Sequence, residues 1–488
     1  MRLSRGRPLA DLFLALDQGG HASRALLYDP DGVLVAEALA PLATRSNELG
    51  HIEHDPEELL ASLRRAIDDG CSKAVAAGHR ILAAGLATQR SSMVCWNRVT
   101  GEALSPVISW QDRRNAQWLK QLEPRAEWIR HHTGLVLTPH YGASKMRWCL
   151  DHLPQVRAAG GRRELAMGPL SSFVLFRLLI ERPFVADPAC ASRTQLWNPA
   201  AHDWSPQLLE LFGIDAGFLP RSVTSRYAYG TLDTPAGRVP LSVATGDQSA
   251  VPFAFGPLDP GTIYLNAGTG AFVQLALRDH LPGALRVLAS VVWSDAVSVY
   301  YMLEGTVNGA GSALDWFAER EGLPLNATLA SVDAHSDRLE PPLFLNGVSG
   351  LGSPFWVSSF ESRFIGEGSR EERLVAVLES IVFLIRVNVD AVNPHCVPLR
   401  RVVLTGGLSA NERFCRAVAS LVGLPVFRSR EHEATARGLA CLLAGQPPEW
   451  ATSAAGDTIE PEIDEGLARR FTAWRAAMEA ALAAGKSG

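Results

Sequence analysis

Apolar strands that run straight into glycine punctuate this chain. LFLAL leads to Asp17-Gln18-Gly19-Gly20, VPLSVAT to Gly246-Asp247-Gln248, GTIYLNA to Gly268-Thr269-Gly270, and RVVLT to Gly406-Gly407. A surface hairpin has no use for an acidic residue at the tip of a buried strand, as at Asp17. A pocket for a charged ligand does, because glycine lets backbone N–H groups converge on an anion without side-chain obstruction. The design of residues 12–32, strand, small-residue turn and strand, returns in GTIYLNAGTGAFVQLAL. That echo predicts two related halves, residues 1–252 and 253–488. A chain of 488 residues is also too long for one compact core.

Composition removes several classes of function. The chain is 47% hydrophobic and 20% charged, with a formal net charge of -5. No large basic block appears, so nothing in its charge argues for nucleic acid. No apolar run reaches transmembrane length. The opening MRLSRGRPLADLFLAL is too short an apolar run for a signal peptide, lacks a small-residue cleavage site and ends in Asp17. Seven cysteines stand singly, with no CxxC pair, which argues against a disulfide frame or a zinc site. Reduced thiols in the cytoplasm are the expectation, with neither nucleic acid nor membrane as a partner.

PEELLASLRRAIDDG has helical spacing, with Asp55 placed to cap it before Pro56. ILAAGLAT and SMVCWN read as strands, and residues 114–240 as mostly helical. NERFCRAVASLVG and HEATARGLACLLAG read as helices, and residues 446–488 as a terminal helix with a frayed tail.

The turns match neither GxxxxGK[ST] nor GxGxxG, so neither a P-loop nor a dinucleotide fold is indicated. Asp17 and Asp247 both sit at strand ends. Asp before Gly is ordinary turn chemistry. In a phosphate site the two take different jobs. One carboxylate holds Mg²⁺, mostly through water, and the other accepts the proton of an attacking hydroxyl. Taken alone, Trp110 and Phe272 read as core, Arg90 as a salt-bridge arginine, and Cys71 and Cys95 as small buried side chains. His51, His54, His131 and His132 lack metal spacing and read as structural or solvated.

LALDQGGHASRALL resembles the opening of the FGGY carbohydrate kinases, especially the glycerol kinases, which carry Asp-Gln-Gly-Thr-Thr-Ser-Ser-Arg there. The likeness runs over residues 12–445, through GLATQRSSMVCWNRVTGEALSPVISWQDRRN, TGLVLTPHYGASKMRW, DPACASRTQLWN, ATGDQSA, NAGTGAF, MLEGTVNGAGSALDW, SGLGSPFW, LTGGLSANERF and EATARGLACLLAG. The resemblance implies an α/β fold of two ribonuclease H-like, actin/Hsp70-like domains, with ATP and substrate in an interdomain catalytic cleft. It implies Asp247 as catalytic base and Asp17 at the Mg²⁺ end. It implies Arg90, Ser91, Trp110, His140, Asp247, Gln248 and Phe272 around the acceptor. It implies Gly19, Gly20, Arg24, Gly268, Thr269, Gly311, Gly407 and Asn411 around the nucleotide. Family members are often dimers or tetramers, so a homodimer or homotetramer is the expectation.

Two departures stand out. Glycerol kinases follow the pocket arginine with Glu, where this chain has Ser91, and a pocket tyrosine is replaced by His140. Losing a charged acceptor weakens glycerol binding, since hydrogen bonds to charged groups contribute roughly 1.5–3 kcal/mol, and Ser91 leaves room. A polyol or sugar bulkier than glycerol is therefore expected. The first phosphate loop reads Gly20-His21-Ala22 in place of Thr-Thr-Ser, losing two hydroxyl donors. The expected function is ATP-dependent phosphorylation of a primary hydroxyl of a small polyol or sugar. A catalytically weak nucleotide-binding regulator on the same fold is the alternative.

Overall fold

The structure is a computed structural model that describes residues 10–282, 286–322, 324, 339–395 and 397–485. Two mixed sheets form its frame. The first contains β1 (Asp11–Gln18), β2 (Ala22–Tyr28), β3 (Leu34–Pro41), β4 (Arg80–Thr88), β5 (Arg226–Thr234) and β6 (Gly237–Gly246), in the order β5-β6-β4-β1-β2-β3. The second contains β7 (Thr262–Ala267), β8 (Ala271–Arg278), β9 (Leu288–Ser294), β10 (Val299–Val307), β11 (Arg401–Thr405), β12 (Val426–Ser429) and β13 (Gly456–Ile459), in the order β9-β10-β8-β7-β11-β12-β13.

The expected echo is real at the level of topology. Each sheet has a three-strand antiparallel meander, β1-β2-β3 or β7-β8-β10. Each then adds two parallel strands, β4 and β6 or β11 and β12. Each closes with an antiparallel edge, β5 or β13. The turns after β1 and β7 therefore fall at equivalent ends of equivalent strands, whereas Gly246 ends the second added strand of its sheet and Gly406 follows the first.

Helices cover both faces, which is why the strands are apolar without interruption. In β1, Leu12, Leu14 and Leu16 pack with Leu59, Leu63 and Ile67 of α1 (Pro56–Ala76). Asp55 caps α1 as expected, its side chain accepting from the N–H groups of Glu57 and Glu58. The remaining helices used below are α2 (Gly142–His152), α3 (Gly311–Glu321), α4 (Arg370–Val392), α5 (Glu412–Val422), α6 (Ala434–Leu443) and α7 (Glu465–Gly485).

Ala15 faces the other way, into a core shared by both sheets. That core joins Ala87 and Val243 of the first sheet, Tyr264 and Met302 of the second, and Leu439 and Leu442 of α6. α6 is thus late in the chain but packs on early strands. A Cβ on Gly85 would lie 2.9 Å from Leu439, and one on Gly438 would lie 2.0 Å from the Ala250 carbonyl. Buried Arg437 donates to the carbonyls of Gly32 and Ala254 and to Ser453.

Residues 114–240 depart from the expectation of a mostly helical stretch. They also supply β5, part of β6, and the Leu165–Pro169 strand of a small five-stranded sheet. The C-terminal stretch differs too. β13 pairs with β12, and α7 buries Leu467, Trp474 and Met478 in the second core, while residues 486–488 lie outside the described residues. Six of the seven cysteines are buried and free, and Cys396 lies outside the described residues. Among the described residues, no helix is long and apolar enough to cross a membrane.

Candidate active site

β1 and β2 set one end of the site. Asp17 and Arg24 are cross-strand partners, and the Arg24 guanidinium lies 3.5 Å from the Asp17 carboxylate and 3.7 Å from Glu433. Burial, helped by the negative charge of Asp247, pushes the Asp17 carboxyl up to about 7 despite Arg24. A cavity of about 500 Å³ opens here. Asp17, Arg24, Gln248, Asn266, Gly407 and Glu433 are among its walls. The turn above it depends on Gly406, whose φ is +91° and whose Cβ would meet the Ala267 carbonyl at 2.5 Å.

The glycine turns do not all act alike. The N–H of Gly19 closes its own turn onto the Ala22 carbonyl at 3.0 Å, whereas a Cβ on Gly20 would meet only open space. In the second hairpin, the N–H of Gly311 donates to the Gly268 carbonyl, and those of Ala310 and Ser312 to Thr269. A Cβ on Gly311 would sit 2.7 Å from the Gly268 carbonyl. The start of α3 therefore clamps the Gly268–Gly270 turn in place. Asn411 lies outside the cavity walls, which include Ser409 and Ala410. Its side chain caps α5 by accepting from Phe414 N–H.

A second cluster of polar side chains gathers around Asp247. Asp247 begins the short helix Asp247–Ala250 at the end of β6, and Gln248 N–H donates to its side chain at 2.7 Å. Burial raises its carboxyl, with Arg90 pulling the other way. The Arg90 side chain crosses Gly246 so closely that a Cβ there would lie 2.4 Å from Arg90 Cγ. Arg90 and Arg193 both converge on Glu304 of β10, at 3.3 and 3.5 Å, and Gln274 of β8 donates to the same carboxylate at 3.0 Å. Burial alone would raise Glu304, but Arg193 and Arg90 outweigh it and hold the group ionised. Phe272 is two residues from Gln274 and shares its face. At 39% and 38% exposed, Trp110 and Phe272 are not core.

Lys145 of α2 ties this second cluster together. Its buried ammonium donates to the carbonyls of Ser91, Ser109 and His140 at 3.1, 2.8 and 2.7 Å. His140 stands edge-on to Trp110, and its Nδ1 is 3.3 Å from Arg113 Nη1. Burial, then Lys145, Arg193, Arg113 and Arg90, hold His140 well below its ordinary value. Arginine only donates, so Nδ1 accepts and the neutral ring carries its proton on Nε2.

A buried polar chain connects the two ends. Gln18 Oε1 accepts from Gln89, which also meets His54 Nε2 at 3.3 Å. Ser92 donates to Gln89 and accepts from the Trp110 N–H. His54 is thus structural, as one reading of the sequence held, and serves this chain. The structure brings Asp17, Arg24, Gln248 and Gly407 to one cavity, and links Arg90, Ser91, Trp110 and His140 through Lys145, Arg113 and Glu304 in a second cluster beside Asp247. Sequence reasoning missed Lys145, Arg193, Gln274, Glu304 and Glu433.

Two carboxylates, each raised by burial, suit a magnesium ion that also takes phosphate oxygens and water. Among the described residues no three His, Cys, Asp or Glu side chains gather into a metal cage.

Twin sheets of one topology, a cavity beside glycine turns, and two buried aspartates close enough for one to act on the other fit a two-lobed phosphotransferase of the ATP-using kind. Comparison with known proteins agrees. Residues 12–259 match the N-terminal domain, and residues 263–445 the C-terminal domain, of the FGGY family of carbohydrate kinases. The chain belongs to that family. The glycerol kinase of Koribacter versatilis is 33% identical over 448 residues, 88% of this chain and 89% of that protein. The glycerol kinase of Acaryochloris marina is 31% identical over 97% of this chain and 98% of its own length. Among solved structures, Plasmodium falciparum glycerol kinase with ADP superposes with a TM-score of 0.89 at 20% identity, covering 97% of this chain and 98% of that one. A xylulose kinase from Brucella ovis gives 0.85 at 23% identity, covering 96% and 99%. These two likenesses establish the fold.

Proposed function

We propose that this carbohydrate kinase transfers the γ-phosphoryl group of ATP to a primary hydroxyl of a polyol or sugar larger than glycerol, with Asp247 as the base. The observation that carries this reading is the position of Asp247. Its charge raises Asp17 at the nucleotide end, while Arg90 of the acceptor wall lies across the preceding Gly246. Asp247 takes the proton of the acceptor hydroxyl as the new P–O bond forms. The bond to the β-bridging oxygen breaks, and ADP leaves. Arg24 and the clamped Gly268–Thr269 turn face the phosphates, and Gly407 the adenosine. Asp17 would hold a magnesium ion here, which would supply positive charge against the phosphates. Arg90, His140 and Trp110 orient the acceptor, and closing the lobes excludes water.

We also propose a lobe boundary at residues 252/253 and a cytoplasmic site of action. Coupled ADP release against glycerol, tetritols, pentitols, aldoses and ketoses tests the reading. Acceptor-dependent release is expected, with glycerol not the best substrate. An ATP-induced thermal shift with no ADP release on any acceptor would instead support a nucleotide-binding regulator. The glycerol kinase relatives make glycerol the necessary comparator.

A further inference from the structure

The acceptor wall has donors to spare. Arg90 Nη1, Ser91 Oγ and Arg193 Nε are buried without a hydrogen-bond partner among the described residues. Ser91 itself is 4% exposed and holds a left-handed φ of +63°, which is unusual for a residue with a side chain. His140 adds an Nε2–H. The charge balance leans the same way. Arg90, Arg113, Lys145 and Arg193 all act on His140, while the carboxylates facing them are Asp112, Asp247 and Glu304, and Asp112 is already paired with Arg114. Glu304 is taken up by Arg90 and Arg193 together. Lys145 is satisfied by carbonyls alone. Arg113 meets the Trp110 carbonyl and His140 but, among the described residues, no carboxylate within ion-pair distance.

We propose that the acceptor is an anionic polyol, a hydroxy acid whose carboxylate is received by Arg90 Nη1 and Ser91 Oγ while one of its hydroxyls meets Asp247. The proposal rests on the kinase reading for the hydroxyl but not for the carboxylate. A neutral polyol placed against these groups brings hydroxyls that must also donate. Beside Arg90, Arg193 and an Nε2–H, only the Ser91 hydroxyl and Asp247 can take those protons, so donors outnumber acceptors, and a buried donor facing donors is destabilising. A carboxylate only accepts, and it forms strong charge-assisted bonds with guanidinium. The glycerol kinases carry Glu where this chain has Ser91, so they bring their own carboxylate beside the pocket arginine. Here the ligand brings it, and the smaller side chain leaves the room.

Calorimetric titration without nucleotide tests this, using acceptors matched in chain length: erythritol against erythronate and ribitol against ribonate. The acid of each pair is expected to bind at least tenfold more tightly. Ser91→Glu is expected to reverse that order. Ser91→Ala, which keeps the small volume, is expected to weaken the acid severalfold and by a larger factor than it weakens the neutral polyol. A neutral polyol that binds as tightly as its acid, or the failure of every acid to bind, overturns the proposal. ADP release is then measured with the same compounds. Acids that bind but are not phosphorylated overturn the kinase reading and leave the carboxylate site standing.

Discussion

At Asp17, stability and function oppose each other. Its carboxyl titrates at about 7 in the folded chain against an ordinary 3.8, so the folded state keeps a proton that the unfolded state releases. An acid shifted in this direction loses stability as pH rises from about 4, and the loss is complete above about 7. Asp17→Asn is therefore expected to melt higher than the parent at pH 8. The gap should close toward pH 4, and a pH series of melting curves reads it directly. The same change should lower kinase turnover on the order of 10²-fold or more by removing the charge that serves the metal–phosphate end. Asp247→Asn should lower turnover by about 10²–10⁴-fold while keeping the ATP-induced thermal shift, and near-normal turnover would remove Asp247 from the mechanism. Both aspartates were legible because each ends an apolar strand beside glycine. Glu304 was not. It lies mid-strand, 214 residues from Arg90, and only the folded chain reveals what it faces. Lys145 was hidden for a related reason, since its partners are backbone carbonyls, which have no signature in sequence.

Elements with strong patterns were read correctly, and weakly patterned edges were not. β1, β4, β7 and β11 are apolar on both faces because helices cover both. β5 sits at the edge of its sheet with much of its surface partly exposed, so it presents no clean alternation. β13 is four residues long and largely open. α6 was legible as a small-residue helix, but its destination against early strands was not. Its small residues mark close approach. Gly438→Ala places a methyl 2.0 Å from the Ala250 carbonyl, and overpacking of this kind destabilises by about 1–3 kcal/mol. Urea unfolding is expected to show that loss, whereas substitution at Gly423, where a Cβ meets nothing within 4 Å, tests the left-handed backbone alone. At the head of α4, Ser369 and Glu372 form a reciprocal capping box. Ser369→Ala should lower stability by about 1 kcal/mol without changing KM for ATP.

Across the whole molecule, the Arg90–Glu304–Arg193 cluster joins the two lobes through a carboxylate that is 2% exposed. Removing one partner of a buried ion pair typically destabilises by about 3–5 kcal/mol, because the remaining charges stay desolvated. Glu304→Gln is expected to fall in that range by chemical denaturation and to raise KM for the acceptor more than for ATP. The outcome would separate a cleft assembled by both lobes from one carried by the first lobe alone. α6 carries a different consequence, for synthesis. The first sheet is complete at Gly246, yet the helix that covers one of its faces begins only at Ala434. At about 5–20 residues per second, a ribosome needs on the order of 10–40 s to deliver it. During that interval the nascent chain holds a finished sheet with one oily face still bare, which makes this stage of translation the point where the protein most needs a chaperone's shelter.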